Sequence, residues 1–497
     1  MSLFRKKDLS AMLAQADDGE KGLKRTLGAG NLVALGVGAI IGAGLFVRTA
    51  AAAGQAAGPA VTISFIVAAI GCAFAGLCYA EFAAMIPISG SAYAYSYVTM
   101  GETVAWIIGW ALIMEYALGA ATVSIAWSEY LNKLLGGSIP YEWSHSPFES
   151  VTGADGILRH GIMNAPALVI LLLLTLLLIK GTQESAIVNA IIVFVKVAIV
   201  IIFIVLGWQF IRPENHTPYL IPANQPPVID ASGKVIADYS SAFKHGWGGV
   251  LGGAAIVFFA FIGFDAVSTA AQEAKNPKRD MPIGILGSLV VCTILYILFG
   301  HVLTGVANWK DFVDPLKGRE ASVAYAISTY MTGYGWLATA VTVAILAGFS
   351  SVILVMLMGQ SRVFYSMAND GLLPKVFSDL HPKFRTPYKS NWILFLFVGG
   401  FAAFVPGNVA GDLTSFGTLF AFVLVSAGIW ILRRKSPDME RPFKTPLVPL
   451  VPILGAVICL AMICALDNET LKVAFAWMAL GLVVYFLYGR KHSKLNG

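Results

Sequence analysis

The sequence predicts an all-α integral membrane protein with twelve transmembrane helices, and three observations lead there. Charged residues make up only 12% of the 497, while 57% are hydrophobic. Soluble domains carry about 25% charge, so the chain lacks the makings of a water-facing surface. Twelve apolar stretches approach or exceed the roughly 20 residues that cross a bilayer. They run over 29–54, 58–86, 102–135, 162–180, 184–211, 247–273, 281–307, 334–364, 390–406, 411–433, 446–466 and 470–489. Finally, the first and the sixth are interrupted by glycine near mid-bilayer, five stretches apart.

Residues 1–28 form a polar N-terminal segment. It carries Arg5, Lys6, Lys7, Asp17, Asp18, Lys21, Lys24 and Arg25, which leaves no apolar region for a cleaved signal peptide, so the first apolar stretch is itself a span. An even number of spans puts both termini on one side. The stretches on that side collect about two-thirds of the lysines and arginines, including Lys275, Lys278, Arg279 and the run Arg433-Arg434-Lys435. By the positive-inside rule both termini are cytoplasmic and the chain is a multi-pass protein of the plasma membrane.

The connections 136–161 and 212–246 then face outward as surface loops, and the inner connection 365–389 is expected to hold a short surface helix. Five cysteines all fall inside apolar stretches with no CxxC spacing, so no disulfide framework or metal site is implied and they read as small core residues. The net charge of +6 comes in short clusters rather than a stripe, which argues against nucleic acid. No HExxH, GxSxG or phosphate-loop pattern occurs, so the chain shows no enzyme signature and calls for no cofactor.

The first stretch reads Gly36-Val-Gly38-Ala-Ile-Ile-Gly42-Ala-Gly44-Leu-Phe, and the sixth reads Phe258-Phe-Ala-Phe-Ile-Gly263-Phe-Asp265. Interrupted stretches at corresponding places of two halves point to an inverted-repeat transporter and its binding site. The repeats are 29–211 and 247–433, separated by the outer loop 212–246. Spans 434–489 and the cytoplasmic tail 490–497 follow. A helix broken in lipid leaves N–H and C=O groups that must find partners. A free amino acid supplies both kinds: its carboxylate suits the amides at the start of the second half-helix, and its ammonium suits the carbonyls ending the first. The predicted site is therefore Ile40, Ile41, Gly42, Ala43 and Gly44 with Phe259, Ala260 and Ile262. The amides of 42–44 hold the carboxylate, and carbonyls near Ile40, Phe259, Ala260 and Ile262 hold the ammonium. Phe259 can close over the substrate from the outer side. The competing reading is a GxxxG contact of Gly38 and Gly42 between intact helices.

Four ionisable residues lie well inside spans: Glu81, Glu115, Lys196 and Asp265. Such groups are expensive in a bilayer and mark function by default. Lys196 stands among aliphatic residues midway along the fifth span. Desolvation favours its neutral form and a nearby carboxylate its charged form, so it can take up and release a proton. Alternatively it forms a fixed ion pair with Glu115 or Asp265. Glu115 itself can carry the proton, Asp265 can transfer it or cap the second half-helix, and Glu81 belongs to an inner gate. His301 reads as a packed residue.

Six pieces in order carry a resemblance: Ile41-Gly-Ala-Gly-Leu-Phe46, Cys78-Tyr-Ala-Glu81-Phe, Pro87-Ile-Ser-Gly-Ser-Ala-Tyr93, Phe261-Ile-Gly-Phe-Asp265-Ala-Val, Glu273-Ala-Lys-Asn-Pro277 and Asp370-Gly-Leu-Leu-Pro374. Over nearly its whole length the chain resembles the cationic amino acid transporter branch of the amino acid, polyamine and organocation (APC) superfamily, bacterial type. The resemblance implies a LeuT-type fold, a 5+5 inverted repeat plus two C-terminal helices. It implies that Lys196 stands where sodium-coupled relatives bind sodium, bridging the first and eighth spans when protonated, with Glu115 and Asp265 near the coupling network and Phe259 as the outer gate. Relatives often have Ser or Thr where Ala43 stands. Phe349 is bulkier than its counterpart in relatives that take long side chains, which predicts a narrow pocket for small neutral amino acids such as alanine.

The expected function is proton-coupled import of L-amino acids by alternating access in the cell membrane, with the substrate, protons and membrane lipid as partners. A small single-span membrane partner remains an option that no motif identifies. Exchange, uptake of cationic amino acids and sodium coupling through Ser350 and Ser351 are the alternatives, followed by a non-transporting amino-acid sensor and a membrane-embedded enzyme.

Overall fold

The computed structural model describes residues 5–7, 27–42, 44–88, 90–152, 158–180, 183–229, 233, 235–314, 322–384 and 386–496. Helix occupies every one of the twelve apolar stretches. Among the described residues, eight helical stretches are long and apolar enough to cross a membrane, from Gly44–Met85 to Asn468–His492. The protein is an all-α integral membrane protein. Its only strands among those residues are two short hairpins, Ser150–Thr152 with Leu158–His160 and Val228–Ile229 with Val235–Ala237, both within the long connections.

Four helices are shorter: Ala29–Ile40, Ala165–Lys180, Tyr388–Phe404 and Leu450–Cys464, of 12, 16, 17 and 15 residues. At 1.5 Å per residue they fall short of a 30 Å hydrocarbon core. The first is short because the chain unwinds after it. The last starts at Leu450 rather than 446 because Pro446 and Pro449 delay the helix.

Other connections depart from expectation. A helix at Ser91–Thr99, buried along its whole length, fills the connection after the second stretch. Between 365 and 389 the eighth helix runs on to Asn369, and the expected surface helix is only a three-residue turn, Lys375–Phe377. Cys72, Cys78, Cys292 and Cys459 are buried, but Cys464 is exposed, because it ends its helix at the surface.

The fourth, fifth, ninth, eleventh and twelfth stretches turn large apolar side chains outward, among them Leu173, Phe194, Leu396, Val457 and Leu487. In a membrane this belt meets lipid tails. The fifth, sixth, seventh and eighth stretches pack against the broken first stretch, and buried small residues such as Gly252, Gly253, Gly284 and Gly348 allow close backbone approach.

Candidate functional site

The helix Ala29–Ile40 ends where Ile41 turns extended, at φ −73° and ψ 104°. Its N–H still reaches Val37 O at 3.0 Å, whereas Leu45 and Phe46 donate back to Gly42 O at 3.1 and 3.4 Å. A second half-helix therefore starts at Gly42, with its first amides facing the break. Ala43 lies outside the described residues. In the sixth stretch Gly246–Val257 tightens into a 3-10 turn, Phe258–Phe261. Ile262 is extended at φ −59° and ψ 135°, and Gly263 adopts φ +111°, which favours glycine. A second helical piece, Asp265–Glu273, follows.

The two breaks press against each other. A Cβ added to Gly44 would lie 2.2 Å from Ala260 Cα, and one on Gly263 would lie 2.9 Å from Ala39 O. Gly42 faces Val352 of the eighth stretch, where an added Cβ would come within 2.9 Å of Cγ2. Ile40, Ile41, Gly42, Gly44, Phe259, Ala260 and Ile262 are thus brought together and buried. This is not a contact between two intact helices.

Sequence reasoning missed the residue that ties the breaks together. The Tyr296 hydroxyl, from the helix Pro277–Val306, lies 3.0 Å from Ile40 O and 2.8 Å from Ala260 O. With one proton it donates to one of them at a time, so two carbonyls expected to face an ammonium already share a donor. One tyrosine among 17 in an apolar run carries no signal. Tyr296→Phe is expected to weaken substrate affinity roughly 2- to 13-fold, the worth of one hydrogen bond of about 0.5–1.5 kcal/mol. Equilibrium binding measures it, and a change below twofold would show that this hydroxyl does not support the site.

Lys196 is fully buried. Its Nζ donates to Ile41 O at 2.8 Å and also to Gly38 O, both at the first break. Its stem lies against Gly348 of the eighth stretch, 3.2 Å from where a Cβ would stand. Lys196 thus touches both stretches, and neither Glu115 nor Asp265 forms an ion pair with it.

Glu115 sits in a wide π turn, Met114–Leu118, within the third stretch; such turns often mark functional positions. Tyr116 on the same turn donates to Asp265 Oδ2 at 2.5 Å. Glu115 neighbours Asp265 and Thr418. Both oxygens of Glu115 and Oδ1 of Asp265 have no hydrogen-bond partner among the described residues. The acidic pair and the lysine are therefore separate centres.

Polar clamps close both ends. Away from the termini, Arg48 pairs with Asp412 and lies 5.8 Å over the Phe259 ring. Phe349 packs on Phe46 and Tyr130, with centroids 6.3 and 5.7 Å apart, as an aromatic wall. At the other end, Glu81 accepts from Arg433 at 2.8 and 2.9 Å and from the Thr445 amide at 2.8 Å. Lys7 and Tyr93 meet on Asp370 at 2.7 and 2.8 Å. His301 packs its ring 4.6 Å from His216, centroid to centroid.

Residues 27–487 match the amino acid permease family. The branched-chain amino acid permease BcaP of Bacillus subtilis (strain 168) is 43% identical over 497 residues, 100% of this chain and 99% of that protein. The methylthioribose transporter of the same organism is 41% identical over 497 residues, again 100% and 99%. The vacuolar cationic amino acid transporter 4 of Arabidopsis thaliana is 33% identical over 440 residues, 88% of this chain and 68% of that protein.

Proposed function

The chain belongs to the amino acid permease family, and from that premise we propose that it imports small neutral L-amino acids, alanine foremost, by proton-coupled alternating access. The single observation that carries this reading is the pair of mutually packed helix breaks with Lys196 hydrogen-bonded to the first. Amides of 42–44 receive the carboxylate. Carbonyls of Ile40, Phe259, Ala260 and Ile262 receive the ammonium on their second lone pairs while the Tyr296 hydroxyl stays in place and holds the two breaks together. On this reading twelve helices span the plasma membrane with both termini cytoplasmic, and 29–211 and 247–433 are inverted repeats of a LeuT-type fold, followed by two helices over 434–489.

Phe259 and the Arg48–Asp412 pair form the outer gate, and the Glu81 clamp lies at the inner one. A protonated Lys196 holds the first stretch against the eighth, and its deprotonation releases them; Glu115 and Asp265 form a second proton-coupling centre apart from it. The relatives' names include branched-chain amino acids and methylthioribose. The Phe349 wall supports the small end of that range, because a buried ring that packs on two others has little room to retreat.

Proteoliposomes acidic outside test the proposal. A gradient of about one pH unit is worth about 1.4 kcal/mol per proton and supports roughly tenfold accumulation. Alanine is expected to accumulate without sodium, leucine to enter more slowly, and arginine and methylthioribose to stay at background. A strict sodium requirement would overturn the coupling, and arginine uptake as fast as that of alanine would overturn the substrate class.

A further inference from the structure

Between the tenth and eleventh stretches, at the end of the molecule that carries the termini, the connection 436–449 walls a cavity of about 620 Å³. Its lining includes Arg433, Asp438, Glu440, Arg441, Lys444 and Val448. Small-molecule pockets run from about 300 to 1,000 Å³, so the space suits a headgroup or a small anion and no folded partner.

The floor of the cavity is fixed by burial. Glu81, fully buried, accepts from Arg433 Nε and Nη2 at 2.8 and 2.9 Å, and Arg441 Nε stands 3.3 Å from the same Oε1. Two guanidinium groups thus share one carboxylate, which leaves one positive charge over. The Arg441 side chain is only 4% exposed. Carbonyls of Ser436, Pro437 and Met439 hold it at 2.6, 2.9 and 2.7 Å, and they carry no charge to offset it. Arg433 commits Nε and Nη2 to Glu81 and Thr445 O, whereas the two protons of Nη1 find no acceptor among the described residues.

The other charges do not restore the balance. Lys444 is exposed at the rim and forms no ion pair among the described residues. Glu440 is taken by Lys278 at 3.0 Å, which leaves Asp438 as the one acceptor of the lining without a partner among them. Two residues beyond Arg433, Lys435 stands close to Lys6: burial and then the Lys435 charge hold the Lys6 ammonium below the ordinary lysine range. A singly charged anion corrects this excess.

Beside the cations the surface is apolar. Leu447 is 72% exposed, and Leu450, Ile453, Val457 and Leu460 are exposed at spacings that place them on one face of the helix Leu450–Cys464. Leu450 to Leu460 spans about 15 Å, so an apolar track leads from the cavity toward the middle of the bilayer. Leu447 adopts φ +48°, uncommon for a residue other than glycine, where it turns this side chain outward. On the tenth stretch the Arg434 guanidinium lies 4.7 Å over the Trp430 ring, and tryptophans of this kind sit at headgroup depth. A soluble anion would use the cations alone; a phospholipid uses cations and track together.

We propose that this cavity binds the headgroup of an anionic phospholipid from the leaflet on the side of the termini. Arg433 Nη1 and Lys444 receive the phosphodiester, Asp438 accepts from headgroup hydroxyls, and an acyl chain lies along Leu450, Ile453 and Val457. The lipid supplies the charge that two arginines on one carboxylate lack, and it ties the surrounding membrane to the Glu81 clamp. Nothing in this depends on which solute the chain carries.

The test is native mass spectrometry of the full chain, purified in detergent with equal amounts of phosphatidylglycerol and phosphatidylcholine, which counts the lipid retained. Wild type is expected to keep one phosphatidylglycerol in preference to phosphatidylcholine. Lys444→Gln, on an exposed side chain, is expected to weaken that retention about fivefold, the worth of one lysine at an anionic lipid surface. Leu450→Ala with Val457→Ala should weaken it as well, and Lys472→Gln, an exposed lysine at the far end of the eleventh and twelfth stretches, should leave it unchanged. Equal retention of both lipids by wild type, or unchanged retention in Lys444→Gln, would overturn the proposal. Displacement of the lipid by inorganic phosphate, with wild-type retention in Leu450→Ala/Val457→Ala, would assign the cavity to a soluble anion and overturn the lipid as its occupant.

Discussion

Gly44→Ala is expected to reduce uptake to background while Gly400→Ala leaves it unchanged. A Cβ on Gly44 would stand 2.2 Å from Ala260 Cα, and its obstacle is backbone that cannot rotate aside. The two breaks must therefore separate, and the amides and carbonyls that converge on one small ligand no longer do so. Gly400 has nothing within 4 Å of such an atom and controls for substitution of a glycine in a span. Gly42→Ala supplies a graded case. Its added atom meets Val352 Cγ2 at 2.9 Å, a side chain that can be trimmed, so Gly42→Ala should lower uptake and Gly42→Ala with Val352→Ala should restore much of it. Gel filtration checks that each variant is folded. Wild-type uptake by folded Gly44→Ala would show that the close approach of the breaks is not needed.

Lys196→Ala is expected to abolish pH-driven accumulation. The substitution leaves Gly38 O and Ile41 O without their ammonium donor, and each buried group so stranded costs about 1–3 kcal/mol. It also removes the contact with Gly348. Lys196→Met isolates the packing effect, since it keeps an apolar stem against Gly348 while losing the charge and both hydrogen bonds. Both variants should lose the roughly tenfold accumulation that one pH unit supports, with Lys196→Met retaining more alanine binding. Intact accumulation in Lys196→Met would remove this residue from the coupling step.

The legible features were those that break a pattern. A lysine or carboxylate in an apolar run stands out one residue at a time, which is how Lys196, Glu115 and Asp265 were singled out. Paired glycines such as Gly42 and Gly44 stand out in the same way. Partnership is not written in the sequence. Tyr296 resembles any other aromatic residue of a span until two distant carbonyls are seen beside it. Arg48 and Asp412 sit near the ends of their stretches, where charge is ordinary, so they read as topology rather than as a pair.

Helix detail was lost for similar reasons. The π turn at Met114–Leu118 needs no special residue, because it is an insertion relative to neighbours rather than a composition. Ser91–Thr99 mixes serines and tyrosines without a clear apolar face, and its burial comes from the helices around it. The late start of Leu450–Cys464 was visible in Pro446 and Pro449, and the apolar count outweighed them.

The Glu81 clamp has a consequence for how the chain is made. Glu81 precedes Arg433 by 352 positions, and Thr445 comes later still. At roughly 5–20 residues per second, synthesis of that interval takes about 20–70 s. Throughout it the second stretch holds a carboxyl whose final partners do not yet exist, in a setting where an unpaired charge is costly. The newborn chain must keep Glu81 within reach of interfacial water until the tenth stretch arrives. Closure of this clamp therefore belongs among the last events of assembly, after most of the molecule has entered the bilayer.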